Sequence, residues 1–253
     1  MQNYCKTIGA LAAASALVAG NAKAGVDYEL HTGYSSEYLY RGLNLGQDLI
    51  EVGADMKIDV NNLFNINLGA WYGTTSSNQL DLQYAQANMS ELRLNIEVAK
   101  DFGPITGKVG YIFRQYDLDV LSVKPTTGEI YFALGHDFGF MEMDLTYYWG
   151  VHGIDVGGAT PGTTDGYTEF ALSRKFDLNR CLALNVRTDV GYLVEDRTWT
   201  AWTSKVSLDW AFAEHAKVSP FIAASVGLGE AANTVWFSTT NQLVGGCMLS
   251  VNF

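Results

Sequence analysis

Two stretches of the chain carry the same tripeptide, Asp-Phe-Gly, in AKDFGPITGK (99–108) and GHDFGFMEMD (135–144). In a kinase that tripeptide holds magnesium, but only with a Gly-rich phosphate loop, a strand lysine and His-Arg-Asp upstream. None of these is present. The four histidines offer hydrolytic chemistry only where one stands beside a carboxylate or nucleophile. His31, His136 and His215 do not fit a rim site, whereas His152 lies near Asp155 and Asp165 in a Gly-rich stretch. A lone loop histidine is ordinarily solvated, so no catalytic residue is assigned. Neither His-x-x-x-His nor Cys-x-x-Cys occurs, and DVGGATPGTTDG lacks the spacing of an EF-hand. No metal and no cofactor are expected.

What must position any such chemistry is a set of strands. In SELRLNIEVAK, Leu92, Leu94, Ile96 and Val98 alternate with Glu91, Arg93, Asn95 and Glu97. In MEMDLTYYW, Met141, Met143, Leu145, Tyr147 and Trp149 alternate with Glu142, Asp144, Thr146 and Tyr148. Such period-two patterns mark strands with one apolar and one polar face. Twelve segments read this way: 27–41, 48–60, 63–74, 90–101, 105–117, 128–137, 140–151, 166–176, 181–194, 201–213, 217–228 and 240–253. Short connections (VNN, DFGP, DFGF, DLNR, AEHA) take turns with long ones. Tight periplasmic turns and longer external loops characterise an up-and-down barrel in an outer membrane.

Composition and the chain start agree. Lys6, the apolar run Thr7–Gly20 and Ala22-Lys23-Ala24 form a signal-peptide pattern, with residues 1–24 removed and 25–253 the barrel. That leaves 14 basic and 27 acidic residues, a net charge of −13, which argues against nucleic acid as a partner. Beyond the leader no apolar run approaches the ~20 residues of a membrane helix, so a membrane would be crossed by a closed barrel. Aromatics gather at both strand ends, as interfacial girdles require. Tyr38, Tyr40 and Trp149 are assigned to the external girdle, Phe102, Phe138 and Phe253 to the periplasmic one. The Asp-Phe-Gly copies then become periplasmic turns, with Asp capping the backbone and Gly taking positive φ.

The segment Ser36-Glu37-Tyr38-Leu39-Tyr40-Arg41-Gly42 resembles the S-[DE]-Y-x-[FY]-R-G motif of the Gcw_chp family of uncharacterised bacterial exported proteins. The resemblance covers the first ~25 residues of the mature chain and otherwise rests on pattern. It implies an outer-membrane barrel and no particular activity. The terminal Phe253, after alternating Cys247, Leu249 and Val251, resembles the C-terminal signature through which the barrel-assembly machinery recognises its clients.

By parity the lumen receives Arg93, Glu97, Arg114, Asp144, Arg187 and Asp189, together with Glu91 and Glu129, and acids outnumber bases. Glu37 and Arg41 face the lumen near the external mouth. They read either as a charged constriction or as a salt bridge holding a loop over the mouth. Three functions follow: a narrow passive channel for small cationic or neutral solutes, a closed structural or surface-interaction barrel, and a rim hydrolase using His152. The partners implied are outer-membrane lipid and the assembly machinery; the sequence sets no oligomeric state. Of the cysteines left in the mature chain, Cys181 begins the ninth strand and Cys247 lies in the twelfth. At ~4.8 Å per strand they are beyond the ~7 Å reach of a disulfide. Reducing and non-reducing gels should therefore give one mobility, and a faster non-reduced band would refute the strand assignment.

Overall fold

The structure, a computed structural model, describes residues 25–61, 63–78, 88–118, 124–153, 166–228 and 241–253. The leader 1–24 lies outside the described residues. The strands are β1 (Val26–Tyr40), β2 (Leu43–Val60), β3 (Phe64–Thr75), a two-residue β4 (Ser77–Asn78), β5 (Met89–Asp101) and β6 (Ile105–Leu118). There follow β7 (Thr126–Asp137), β8 (Glu142–Gly153), β9 (Tyr167–Asn179), β10 (Leu182–Leu193), β11 (Thr198–Ala213), β12 (Ala216–Gly227) and β13 (Gln242–Asn252). Among the described residues there is no helix.

Apart from β4, each strand pairs antiparallel with its sequence neighbours, and β1 pairs with both β2 and β13. The result is a closed barrel of twelve long strands. The seam runs from Glu29 opposite Asn252 to Ser35 opposite Gly246. Phe253 finishes it: its N–H donates to Tyr28 O at 2.9 Å, and Tyr28 N–H donates back at 3.4 Å.

The two faces of the wall differ as the alternation requires. Leu92, Leu94, Ile96 and Val98 of β5 are 36–47% exposed on the outside, while Glu91, Arg93 and Glu97 between them bond within the lumen. A barrel apolar outside and polar inside is the inverse of a water-soluble one. Trp149, Trp199 and Trp202 are exposed at the end of the long connections, read above as external. Phe102, Phe138, Phe140, Trp210, Phe212 and Phe253 are exposed at the end of the short turns.

The repeated tripeptide sits in two such turns. Phe102 N–H donates to Ile105 O at 2.8 Å, and Phe138 N–H to Met141 O at 2.9 Å. Gly103 and Gly139 follow at φ +83° and +79°, a conformation open to glycine. Asp137 accepts the Gly139 N–H at 2.6 Å, whereas Asp101 accepts the Thr106 hydroxyl at 2.6 Å. Only the second copy therefore shows the backbone cap expected of both. Cys181 and Cys247 are free thiols.

One connection departs from the sequence reading: 42–47, expected between strands, lies almost wholly in β2. β1 and β2 are joined by two residues, Arg41 at φ +51° and Gly42 at φ +79°, with Tyr40 opposite Leu43. Two successive left-handed residues form the I′-type hairpin turn. The inside–outside assignment is tested by arginine scanning along β5. Ile96→Arg should lose ~2–4 kcal/mol of folding stability in lipid, and Asn95→Arg far less, measured by urea titration in bilayers.

Candidate functional site

The β1–β2 hairpin outruns the wall that carries it. The last β1–β13 pair is Ser35 with Gly246, and the last β2–β3 pair is Ile50 with Thr74. Residues 36–49 are paired mainly with each other, flanked only by β4. A register shift falls between Tyr38 and Leu39, and Asp48 adopts φ +52°. The Asp48 carboxylate fixes that bend by accepting the Tyr34 hydroxyl at 2.7 Å and Ser76 Oγ at 2.8 Å. On the facing side Ser36 Oγ accepts the Gly245 N–H at 3.1 Å. Leu45, Leu49 and Tyr38 are buried against Met89 of β5 and Tyr116 of β6, with Tyr40, Leu43 and Trp71 packed around them. Burying apolar side chains at roughly 25 cal/mol per Å² favours the inward position.

The tip of the hairpin is fastened by charge. Arg41 Nη1 and Nη2 donate to Glu129 Oε1 and Oε2 of β7 at 2.8 and 3.1 Å. Its guanidinium carbon lies 4.1 Å from the ring centre of Tyr148 and 4.5 Å from that of Tyr167. Arg114 of β6 donates Nη1 to Glu129 Oε2 and Nη2 to the Tyr40 hydroxyl, the latter at 2.6 Å; its Nε is 3.6 Å from Glu91 Oε1. Glu91 also accepts Tyr38 OH at 2.6 Å and Arg93 Nη2 at 2.9 Å. Glu129, Glu91 and Arg114 are 0–2% exposed and Arg41 7%. Three guanidiniums thus share two carboxylates, and the tyrosine rings and hydroxyls supply further partners, while the buried Arg114 Nε has no hydrogen-bond partner among the described residues. Gly42 lies against the opposite wall: a Cβ there would stand 2.1 Å from Ala201 Cβ of β11. The tip therefore spans the lumen from β5–β9 to β11.

Farther from the tip the lumen groups are more open to water. Lys108 and Asp144 pair at 3.8 Å with side chains 33% and 26% exposed. Arg187 is 42% exposed and reaches Glu169 at 2.9 Å and Asp189 at 3.6 Å. Glu97 accepts Asn67 Nδ2 and Tyr131 OH, both at 2.7 Å. Glu37 accepts the Asn44 amide at 2.8 Å.

The fold thus gathers Arg41, Arg93 and Arg114 at the hairpin, and places Glu97, Asp144, Arg187 and Asp189 elsewhere on the lumen. Tyr38 and Tyr40 are corrected: both point inward, with hydroxyls on Glu91 and Arg114, and do not join the outer girdle. Parity along β1 assumed a strand held in the wall, and beyond Ser35 it is not. Tyr116 of β6 is buried beside Tyr38. Tyr148 and Tyr167, which flank Arg41, were not singled out. The sequence signal for the inward fold was apolar character on both parities, Tyr38-Leu39-Tyr40, followed by Leu43 and Leu45. His152 lies in β8 opposite Gly128; its side chain, Asp155 and Asp165 are outside the described residues. Among the described residues no three His, Cys, Asp or Glu are grouped to hold a metal.

Removing one member of a buried pair leaves charge uncompensated, at a cost of about 3–5 kcal/mol. Glu129→Ala, which leaves the buried Arg41 and Arg114 without their shared carboxylate, should lower the unfolding free energy by that order in detergent. Arg187→Ala, at a half-exposed pair, should cost under ~1 kcal/mol.

No family model matches the chain, and no curated protein matches it. Solved structures do. The chain is similar to the KdgM porin at 7% identity and a TM-score of 0.50, covering 90% of this chain and 99% of that one. The NanC porin gives 11% and 0.53, with coverages of 88% and 98%. An outer membrane channel from Pseudomonas putida F1 gives 10% and 0.55, with 92% and 97%. The shared feature is the fold, that of outer-membrane barrel porins and channels.

Proposed function

We propose that this protein is an outer-membrane channel of narrow bore, passing small cationic or neutral solutes and closed at its external mouth by the β1–β2 hairpin. The observation that carries the reading is a closed barrel whose lumen, away from the hairpin, is lined by charged groups that water reaches. Asp55 is 52% exposed there, and Lys108 and Arg187 are 33% and 42% exposed. Such a lining has no use in a packed core. Acids outnumber bases on the lumen face, and fixed carboxylates favour cations and neutral solutes over anions. The porin and channel fold of the structural neighbours supports the same reading, and the outer membrane is its natural setting. The resemblance of Ser36–Gly42 to the Gcw_chp family adds no activity.

A second reading, a structural barrel with a permanently closed lumen, draws on the buried Arg41–Glu129 contact. Planar-bilayer recording of purified protein separates the two. The channel should give small conductance steps and, in a salt gradient, a reversal potential on the cation side. Silence of both the wild type and a variant with residues 37–46 replaced by a two-residue turn overturns the channel.

A further inference from the structure

We infer that Glu129, Tyr148 and Tyr167 form a recognition site for the guanidinium group of a solute, and that Arg41 fills it as a tethered stand-in when the mouth is closed. The site belongs to the barrel and its occupant to the hairpin. Glu129, Tyr148 and Tyr167 stand on β7, β8 and β9, while Arg41 arrives on the hairpin tip. Arg114 holds Glu129 Oε2 from β6, so the carboxylate is oriented independently of Arg41.

The geometry is specific to a planar fork. Both Arg41 amino groups meet both Glu129 oxygens, and two aromatic rings lie within 4.5 Å of the guanidinium carbon. An ammonium or a metal ion cannot match the paired donors and the flat faces together. Arg41 holds this position at φ +51°, a conformation unfavourable for a side chain without a short polar group. With Arg41 withdrawn, Arg93 and Arg114 balance Glu91 and Glu129, and Glu129 Oε1 loses its donor. A buried carboxylate oxygen without a donor is costly, and a free guanidinium replaces what Arg41 supplied. A solute bearing that group competes with the hairpin tip and so favours the open mouth, a consequence that rests on the channel reading.

The test uses full-length Arg41→Asn, because asparagine tolerates positive φ and keeps the turn. The probe is ethylguanidinium chloride at millimolar concentration, against equal sodium chloride. It should raise the thermal midpoint of detergent-folded Arg41→Asn by several degrees, as a ligand binding only the folded state does, and leave the wild type unmoved. The rise should vanish in Arg41→Asn/Glu129→Gln and in Arg41→Asn/Tyr148→Ala, and return with Tyr148→Phe. In bilayers Arg41→Asn, which lacks the tethered latch, should show larger steps than the wild type, with or without ethylguanidinium. No thermal response in Arg41→Asn, or an equal one without Glu129, overturns the site. A Glu129-dependent thermal response in variants that never conduct keeps the site and rejects the channel. Should Arg41→Asn fail to fold, Arg41→Gly takes its place in every arm, glycine being at ease at that φ.

Discussion

A hydrocarbon layer contains no water to satisfy a backbone N–H or C=O. Everything in this molecule follows from meeting that demand inside the sheet. Twelve strands paired edge to edge do so only if the first meets the last, and the β1–β13 seam, completed by Phe253 and Tyr28, is that meeting. Closure then forces every side chain to one of two surroundings. Leu94 and Ile96 stand outside, Arg93 and Glu97 inside. Since strand residues alternate, the same seam that protects the backbone also makes a polar interior unavoidable.

The hairpin exploits the one place where that rule lapses. Where β1 loses β13 and β2 loses β3, the chain is released from the wall and the alternation no longer dictates its surroundings. Apolar residues there seek burial, and the lumen is the nearest refuge. Leu45 and Leu49 enter with Tyr38, and the Arg41 guanidinium meets a carboxylate already held by Arg114. The ion pairs have unequal energetic worth. Deep pairs around Glu129 set a unique position for the tip because breaking them strands charge. The half-exposed pair of Arg187 and Glu169 is screened and worth little to stability.

The sequence displayed the barrel clearly because its signals are local. Alternation from Glu91 to Val98, the two Asp-Phe-Gly turns and the aromatic residues at strand ends each need only neighbours along the chain. The site was legible in part. Parity placed Arg41, Arg93, Arg114, Glu91 and Glu129 in the lumen, but no local pattern says that Arg41 meets Glu129, since the contact spans 88 residues. Tyr38 and Tyr40 were misplaced for a related reason: their surroundings are set by the partners β1 lacks. The Arg-Gly pair at 41–42 was the readable clue to a tight turn, because glycine at the second central position is a hairpin signature.

That span has a bearing on the order in which the molecule can come together. Arg41, in the turn between the first two strands, is completed by groups that enter the sheet only with β6–β9. A partial sheet that lacks β6–β9 offers Arg41 no carboxylate and no aromatic face. The hairpin of such an intermediate must keep its guanidinium in water, with Leu45 and Leu49 uncovered. Seating of the tip thus reports on completion of the far wall, and the first two strands of the chain are the last to reach their final surroundings.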